Sequence, residues 1–286
     1  MKSITLIFAM LVAAMMYCNS GFTQDLEPRR WTPLPVDTQV VGVGYGHSNG
    51  DISLDPVLKI DEGTVDLDSV VASYVRPFSL AGRLARFDAF IPFHDSQWQG
   101  LLDGQPATAQ RRGFGDPILR VSVLLKGAPV ANEEDLRRYI ASHPVRTSMG
   151  VGLAVSLPLG DYHDDKLLNI GSNRFSFRPQ VGVVHIRGRW SYELTGSVFL
   201  FTDNDDFFNS NILEQNPLYA VQSTVVRVFK PGLWMAISAG YGRGGRSTLN
   251  GERKDDRRET FLSGLSAGIP LSRNQSLKLA YVSTRR

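Results

Sequence analysis

The feature that most constrains this chain is an alternation of apolar and small or polar residues with a period of two. In 146–157, for example, apolar side chains occupy every second position, and Gly, Ser and Ala fill most positions between them. Because side chains two residues apart share one face of a strand, each such run predicts a strand with one apolar face. Eleven runs occur, at about 38–48, 63–77, 83–95, 113–126, 145–158, 173–187, 189–202, 216–230, 232–243, 257–271 and 275–284. Several match the roughly 9–11 residues of a strand that crosses a bilayer in a barrel.

The connections between these runs are sorted by length. Long polar connections follow the odd runs, at 49–62, 96–112, 159–172, 203–215 and 244–256. Most even runs end in tight turns, at 79–82, 187–188, 230–232 and 272–274, while 132–141 in the remaining gap predicts a short helix capped by Asn132. Transmembrane barrels have tight periplasmic turns and longer outer loops, whereas a secreted β-sandwich has no physical reason for this sorting. The predicted fold class is therefore all-β, an antiparallel transmembrane β-barrel.

The N-terminus predicts export. Lys2 precedes an uncharged apolar run from Ile4 to Tyr17, and small and polar residues follow it, with cleavage expected after Ser20 or near Gln24. We therefore divide the chain into a signal peptide (1–24), a periplasmic N-terminal segment (25–36) and a barrel (37–286) in the bacterial outer membrane. Expected partners are outer-membrane lipids and the barrel-assembly machinery.

Composition excludes several classes of protein. The single cysteine, Cys18, lies in the predicted signal peptide, so a disulfide framework and a thiolate metal site are excluded from a mature chain that lacks it. The net charge of +3 comes from 31 basic and 28 acidic residues, a balance that argues against a nucleic-acid partner. No cofactor and no metal site are predicted.

Polar residues of opposite parity to the apolar ones are expected to face the barrel lumen. A charge that faces hydrocarbon costs roughly 2–4 kcal/mol near the bilayer midplane, so the inward orientation is strongly preferred. The candidate pore-lining residues are Asp66, Asp68, Arg86, Asp88, Arg120, Arg178, Gln180, Glu193, Gln222 and Lys278, with Arg76 in the same set. Their mixed signs fit either a salt-bridge ladder that closes the lumen or the lining of a selective aqueous path.

A glycine-rich stretch, 236–249, fits the dinucleotide pattern G-x-G-x-x-G at Gly240 to Gly245. That fingerprint requires glycines that open a helix after a strand. Here the alternation runs through Gly240 and Gly242, and a polar loop without helical periodicity follows. The stretch predicts the outer end of the ninth strand, and no nucleotide partner is expected.

Two further motifs suggest other chemistry. The stretch 44–50, GYGHSNG, resembles the signature of outer-membrane phospholipase A, but His47 and Ser48 are adjacent here and should point to opposite faces of a strand. The acidic stretches 163–165 and 203–206 carry oxygen ligands suited to calcium, although a solvated loop is the simpler interpretation. No catalytic residue is assigned, and the chain is not expected to be an enzyme.

Five blocks of sequence carry a family resemblance. They are GRLARFDAFIPF (82–93), WQGLLDGQPATAQRRGFGDPILRVSVLLKGAP (98–129), GDYHDDKLLNIGSNRFSFRPQVG (160–182), FTDNDDFFNSNILEQNPLYAVQ (201–222) and GRGGRSTLNGERKDDRR (242–258). Over about 37–284 the chain resembles the phenol-degradation meta-pathway transporter family of outer-membrane barrels. The resemblance implies passage of small aromatic or hydrophobic compounds.

The number of strands is a second expectation. Members of that family continue past SLKLAYV with another strand, whereas this sequence ends at 283–286. Bacterial single-chain barrels have even strand numbers, so we expect twelve strands in the intact architecture and about eleven in this chain. Three functional hypotheses follow: a channel for small solutes, a lipid-acting hydrolase that uses His47, and a structural barrel closed by its own charges.

Overall fold

The computed structural model describes residues 7–16, 26–51, 60–102 and 105–285. The predicted cleavage sites, and most of the predicted loop 49–62, lie outside these residues. Strands dominate the described part of the chain. They are β1 (Ile7–Met16), β2 (Val40–Asp51), β3 (Ile60–Leu80), β4 (Arg83–Leu102), β5 (Gln105–Phe114), β6 (Ile118–Lys126), β7 (Val145–Ser156), β8 (Ser176–Arg187), β9 (Trp190–Phe201), β10 (Asn204–Phe207), β11 (Asn211–Gln215), β12 (Leu218–Lys230), β13 (Leu233–Gly244), β14 (Ser247–Leu249), β15 (Glu252–Arg253), β16 (Arg258–Pro270) and β17 (Ser276–Arg285).

Most of these strands form one sheet that closes on itself. Its order is β3-β2-β1-β17-β16-β13-β12-β9-β8-β7-β6-β4, and β3 also pairs with β4 to complete the ring. The strand β5 pairs with the outer part of β4 and continues the path of β6. All eleven predicted strands are therefore confirmed as an antiparallel barrel wall, with β6 and the end of β5 forming the fourth. The prediction of a polar loop over 96–112 was wrong, because β4 and β5 form a paired extension of the wall there.

The twelfth position of the ring is occupied by β1. This strand runs parallel to both of its neighbours, with Ala13 opposite Tyr45 of β2 and opposite Leu279 of β17. Bacterial barrel strands are antiparallel, so this pairing departs from the usual arrangement. The same residues belong to the predicted signal peptide, and one copy of them cannot both be removed on export and complete the wall.

The outward face of the ring is apolar along the middle of the strands. Ile237 is 67% exposed and Val181 is 56% exposed, and each is flanked along its strand by inward residues that are buried. The same alternation exposes Val43, Val121, Leu153, Leu194, Val221, Leu265 and Leu279. An exposed apolar belt of this kind is the lipid-facing surface of a membrane barrel, and it explains the period of two in the sequence.

The two ends of the barrel differ as the connection lengths predict. Tight turns at one end contain residues with positive φ, namely Ala81, Gly82, Gly188 and Gly232. The same end carries α1 (Glu133–Ser142), whose first turn is capped by the Asn132 side chain at 2.9 Å from the Asp135 N–H. At the other end, β10, β11, β14 and β15 form a small separate sheet from the long loops. No helix among the described residues is long and apolar enough to cross a membrane.

Candidate functional site: the barrel lumen

Most of the predicted pore-lining residues lie on the inner face of the wall. Asp88, Arg120, Gln180 and Glu193 are buried there. Arg86, Arg178 and Lys278 line the large central cavity, and Gln222 shares the inward parity of buried Thr224, to which its amide donates at 3.5 Å. The parity of the strands therefore places these eight side chains on one continuous inner surface.

Asp66 and Asp68 require a correction, because both point outward. Along this part of β3 the odd residues face the lumen, and Val65 packs there against Trp98, Leu168 and Ile170. Apolar loop residues fill the lumen at this level, so the inner face is hydrophobic and the polar residues take the outer face. Arg76 is also exposed, near the tight turn. The prediction was wrong because the odd residues face inward along β3, where the apolar Val71 and Val75 also line the cavity. Asp66 and Asp68 lie on the outer face beyond the exposed Val70, toward the loops, where hydrocarbon no longer sets the outer face.

Residues 26–36, which we call the lumenal segment, lie against the inner face of the barrel. Leu26 occupies a notch above two glycines, since a Cβ added at Gly240 or Gly264 would come within 3.1 Å or 2.8 Å of its side chain. Arg29 adopts a left-handed backbone conformation (φ 63°), which costs roughly 1–2 kcal/mol for a residue other than glycine. Its N–H donates to the Glu193 carboxylate at 2.9 Å. The assignment of 25–36 to a separate segment stays a prediction, and the contacts of this segment with the wall were not predicted.

Trp31 anchors the same segment. It is 2% exposed and packs with Val184, Ile186 and Leu124. Its Nε1–H donates to Thr195 Oγ1 at 2.8 Å. A Cβ at Gly182 would lie 1.9 Å from Trp31 Nε1, so only glycine leaves room for the indole at that position. The glycine on β8 thus serves close packing of the lumenal segment.

A buried charge cluster joins the lumenal segment to β4 and β6. The Asp88 carboxylate, fully buried, lies 2.5 Å from Arg86, 3.2 Å from Arg120 and 3.9 Å from Arg30. Arg120 also contacts the Glu27 carboxylate at 2.7 Å. Two carboxylates thus face three guanidinium groups, and both Glu27 and Arg30 come from the lumenal segment. The mixed charges predicted for the lumen are paired through this segment as well as along the wall.

Glu27 is strongly held in its charged form. Burial alone would raise the pKa of its carboxyl, but the neighbouring Arg120 and Arg30 cations, together with the hydrogen bond from Arg120, hold that pKa well below its usual range. A group with a depressed pKa stays ionised at neutral pH, so the ion pair with Arg120 is intact there.

The long loop 157–175 folds inward at the opposite end. Asp116 accepts hydrogen bonds from the N–H groups of Gly160 at 3.0 Å and Ser172 at 2.9 Å. Asp161 Oδ2 accepts from the Phe114 N–H at 2.6 Å. These bonds tie the loop to the wall and allow Leu168 and Ile170 to pack inside the barrel. The loop forms a roof over the lumen.

Electrostatics under this roof are dominated by arginine. Burial and the nearby Arg258 cation together lower the pKa of Arg174 to about 10, against the opposing effect of Asp203 and Asp116. The Arg174 guanidinium lies 4.8 Å from the ring of Phe201, and that of Arg178 lies 4.6 Å from the ring of Phe199. Aromatic faces attract cations at such distances. The inner wall therefore combines guanidinium groups with aromatic rings.

A cavity of about 1640 Å³ lies under the roof and extends along the lumenal segment to Val40, Trp234 and Lys278, near the tight-turn end. Its wall is largely apolar and aromatic, with a few polar groups. The apolar lining includes Val71, Val75, Phe90, Ile118, Phe199 and Trp234, and the charged lining includes Arg86, Arg120, Arg178 and Lys278. A second, small cavity of about 20 Å³ lies beside Trp31 and Leu84 and has room for about one water.

The alternative motifs do not converge on catalysis or metal binding. His47 points outward with Asp68, whose carboxylate lies 3.1 Å from its Nδ1, whereas Ser48 is buried with inward parity, as the adjacent positions predict. Among the residues that the structure describes, no group of three or more His, Cys, Asp or Glu side chains is arranged to hold a metal ion. In the acidic stretch 203–206, Asn204 is buried and donates to Tyr162 at 3.0 Å.

The glycine-rich stretch is a strand, as predicted. Gly240 and Gly242 lie on the buried face of β13 with Ser238. Gly244 and Gly245 have positive φ and turn the chain into the outer loop. A Cβ at Gly244 would come within 2.4 Å of the Pro217 carbonyl, so this glycine also allows close approach to the start of β12. The glycines therefore serve the barrel rim, where no helix follows them.

Comparison with known proteins agrees with this architecture. The structure is similar to the crystal structure of the COG4313 outer membrane channel from Pseudomonas putida F1, with a TM-score of 0.69, 24% sequence identity, and coverage of 87% of this chain and 88% of that one. No curated protein matches the sequence. A family model described as "Putative MetA-pathway of phenol degradation" matches residues 44–285. The chain therefore belongs to this phenol-degradation MetA-pathway family, and it shares the β-barrel fold of the solved channel.

Proposed function

We propose that this chain is an outer-membrane channel that admits small aromatic or hydrophobic solutes. The observation that carries the proposal is the cavity of about 1640 Å³ inside a barrel whose outer face is apolar. Small-molecule sites are typically concave and mainly apolar, with a few polar groups that orient the ligand. A lumen lined by Phe90, Phe199 and Trp234 beside Arg120 and Arg178 has that character.

The similar solved structure supports the same proposal, since it is described as an outer membrane channel. The apolar belt would contact outer-membrane lipids, and the exported chain would require the barrel-assembly machinery to insert. A lipid-acting hydrolase is less well supported, because His47 and Ser48 lie on opposite faces of β2. A structural barrel closed by its own charges makes no use of a cavity of this size.

Solute flux into liposomes that contain the purified protein tests the proposal. Phenol and benzyl alcohol permeate lipid unaided, so a less permeant probe is needed, such as an aromatic glycoside that a reporter enzyme inside the liposome cleaves. We expect flux that depends on the protein. No flux above protein-free liposomes would contradict the proposal.

Two neighbouring residues of β7 provide matched variants. Ala154 lines the cavity and is 6% exposed, whereas Leu153 faces outward and is 46% exposed. Ala154→Trp should reduce the flux, because the indole would fill part of the lumen, and Leu153→Trp should leave it unchanged. Heat-modifiable gel mobility of both variants would establish that each barrel has folded.

A further inference from the structure

Between its loop end and the tight-turn end, the large cavity is lined by more cations than carboxylates. The basic side chains of this part of the lining are Arg29, Arg30, Arg86, Arg120, Arg178 and Lys278. Among the described residues, four of the five acidic side chains that line the cavity belong to its loop end, namely Asp116, Asp255, Asp256 and Glu259. Glu27 is the fifth, and Asp88 and Glu193 are buried in the inner wall. Six cations therefore face three carboxylates along this stretch of the described lumen.

Two of the six cations flank a small residue at one level of the wall. Ala154 of β7 lies opposite Arg120 of β6 on one side and opposite Arg178 of β8 on the other. Since neighbouring strands lie about 4.8 Å apart, the backbones of the two arginines are about 10 Å apart, and the methyl group of Ala154 leaves the space between them open to the cavity. Two guanidinium groups can therefore approach one anion from both sides.

The carboxylate of Glu27 shows which chemistry this gap receives. It contacts Arg120 at 2.7 Å. Burial alone would raise the pKa of the Glu27 carboxyl, but the surrounding cations, Arg120 first and Arg178 among them, hold it low. Around this point the carboxylates of Glu27 and Asp88 oppose four cations, which are Arg30, Arg86, Arg120 and Arg178. A further anion would therefore enter a region of net positive charge.

Aromatic rings lie beside the same two cations. The guanidinium of Arg178 lies 4.6 Å from the ring of Phe199, and that of Arg120 lies 5.4 Å from the ring of Phe90. Both rings line the cavity. A guanidinium group that lies over a ring can still donate hydrogen bonds in its own plane to a carboxylate. The wall can thus contact the anionic group and the aromatic ring of one solute at the same time.

We propose that the lumen selects aromatic anions, whose anionic group binds Arg178 while the aromatic ring packs against Phe199. This inference names the solute class of the channel proposed above and rests on that proposed function. Excess charge of one sign within low-dielectric walls concentrates ions of the opposite sign. An aromatic cation of the same shape is repelled, and a neutral aromatic solute gains the ring contact alone.

Two ions that share a phenyl ring and cross lipid poorly test the charge preference. They are benzenesulfonate and phenyltrimethylammonium. Reversal potentials in planar bilayers, measured across concentration gradients of sodium benzenesulfonate, phenyltrimethylammonium chloride and sodium chloride, place the permeabilities of all four ions on one scale. We expect benzenesulfonate to be at least about tenfold more permeant than phenyltrimethylammonium.

Variants of Arg178 test the cation. Arg178→Gln should reduce the preference for benzenesulfonate about fivefold, the effect of one unit charge at about 4 Å in water, and Arg178→Lys should keep most of it. Arg227→Gln is the matched control, because the Arg227 guanidinium lies 4.7 Å from the ring of Trp190, which is 41% exposed on the outer face. This control should conduct like the wild type, and heat-modifiable gel mobility establishes that each barrel has folded.

A variant of the ring tests the second contact independently. The concentration of benzenesulfonate that halves the chloride current measures its binding in the lumen. Phe199→Leu should raise this concentration about threefold and leave the selectivity between chloride and sodium unchanged. Phe175→Leu is the control, because Phe175 is 42% exposed and should not affect the block.

The outcomes separate the anion site from the channel. Equal permeabilities of the two aromatic ions in the wild type would overturn the site, while flux of the aromatic glycoside would leave the channel standing. A folded Arg178→Gln barrel with an unchanged preference, or equal losses in Arg178→Gln and Arg227→Gln, would also overturn it. An unchanged block of Phe199→Leu by benzenesulfonate would contradict the assigned ring contact. Neither current nor glycoside flux from the wild type would overturn the channel and the anion site together.

Discussion

Two aspartates that the sequence pattern treats alike should differ sharply in their effect on stability. Asp88 and Asp68 were both predicted to face the lumen, yet Asp88 is fully buried, whereas 53% of the Asp68 side chain is exposed on the outer face. The perturbation is Asp→Asn at each position, which removes the charge and nearly preserves the shape. The comparison tests the inward and outward assignment of these side chains directly.

The expected magnitude follows from the partners of each carboxylate. In the wild type, Asp88 and Glu27 neutralise part of the charge of Arg86, Arg120 and Arg30. In Asp88→Asn, Glu27 is the one carboxylate of this cluster that remains to oppose the three cations. Breaking a buried ion pair from one side costs about 3–5 kcal/mol. Asparagine keeps one acceptor oxygen, and a neutral hydrogen bond contributes about 1 kcal/mol. We therefore expect Asp88→Asn to lower the free energy of unfolding by about 3 kcal/mol.

Asp68 should contribute much less. Its carboxylate accepts hydrogen bonds from the Tyr45 hydroxyl at 2.6 Å and contacts His47 at 3.1 Å, both at the exposed surface. Exposed pairs of this kind contribute roughly 0–1 kcal/mol. Urea unfolding of each barrel in lipid vesicles, followed by gel mobility and tryptophan fluorescence, gives the two free energies of unfolding. Equal losses for Asp88→Asn and Asp68→Asn would refute the reasoning from burial.

Three further predictions follow from the same structure. Gly182→Ala should destabilise the barrel by roughly 1–3 kcal/mol in the same unfolding assay, because the new Cβ would meet Trp31 at 1.9 Å, whereas Gly196→Ala, whose nearest neighbour would be at 3.8 Å, should be nearly neutral. Ile237→Arg on the outer face should make folding into bilayers less favourable by up to about 4 kcal/mol. Leu271→Arg is the control, because Leu271 is 60% exposed in a tight turn, and it should have little effect. Similar losses for both variants would argue against the apolar belt as a lipid-facing surface. The mass and N-terminal sequence of the exported protein should show a chain that begins after Ser20 or near Gln24, so that residues 7–16 are absent; a retained N-terminus would favour their role as the parallel strand β1.

The barrel wall could be predicted from the sequence because lipid imposes a strict rule on it. Every strand needs an apolar outer face across the hydrocarbon, so the alternation around Ile237 or Leu153 is enforced residue by residue. The Asn132 cap of α1 is equally local, since it depends on the side chain and the backbone three residues away. A sequence pattern can be recognised in a single chain when it depends only on residues of the same helix or strand, or on a uniform surrounding such as the lipid hydrocarbon.

The lumen could be predicted only in part, because its environment changes along the barrel axis. Val65 faces inward because Leu168 and Ile170, about a hundred residues later, fill the lumen there, and this reverses the rule that placed Asp66 and Asp68. The contacts of the lumenal segment are missed for a related reason. Glu27 and Trp31 meet Arg120 and Thr195, which are distant in sequence, and no periodicity marks such contacts. The glycines at 182, 240 and 264 were the available signal, since small residues on a lumen face leave space for something to fill.

Ion conductance of the purified wild-type protein in a planar lipid bilayer tests the central claim most directly. We expect discrete current steps that are absent from protein-free bilayers. A correctly folded barrel that produces no current steps, at any voltage the bilayer tolerates, would contradict it.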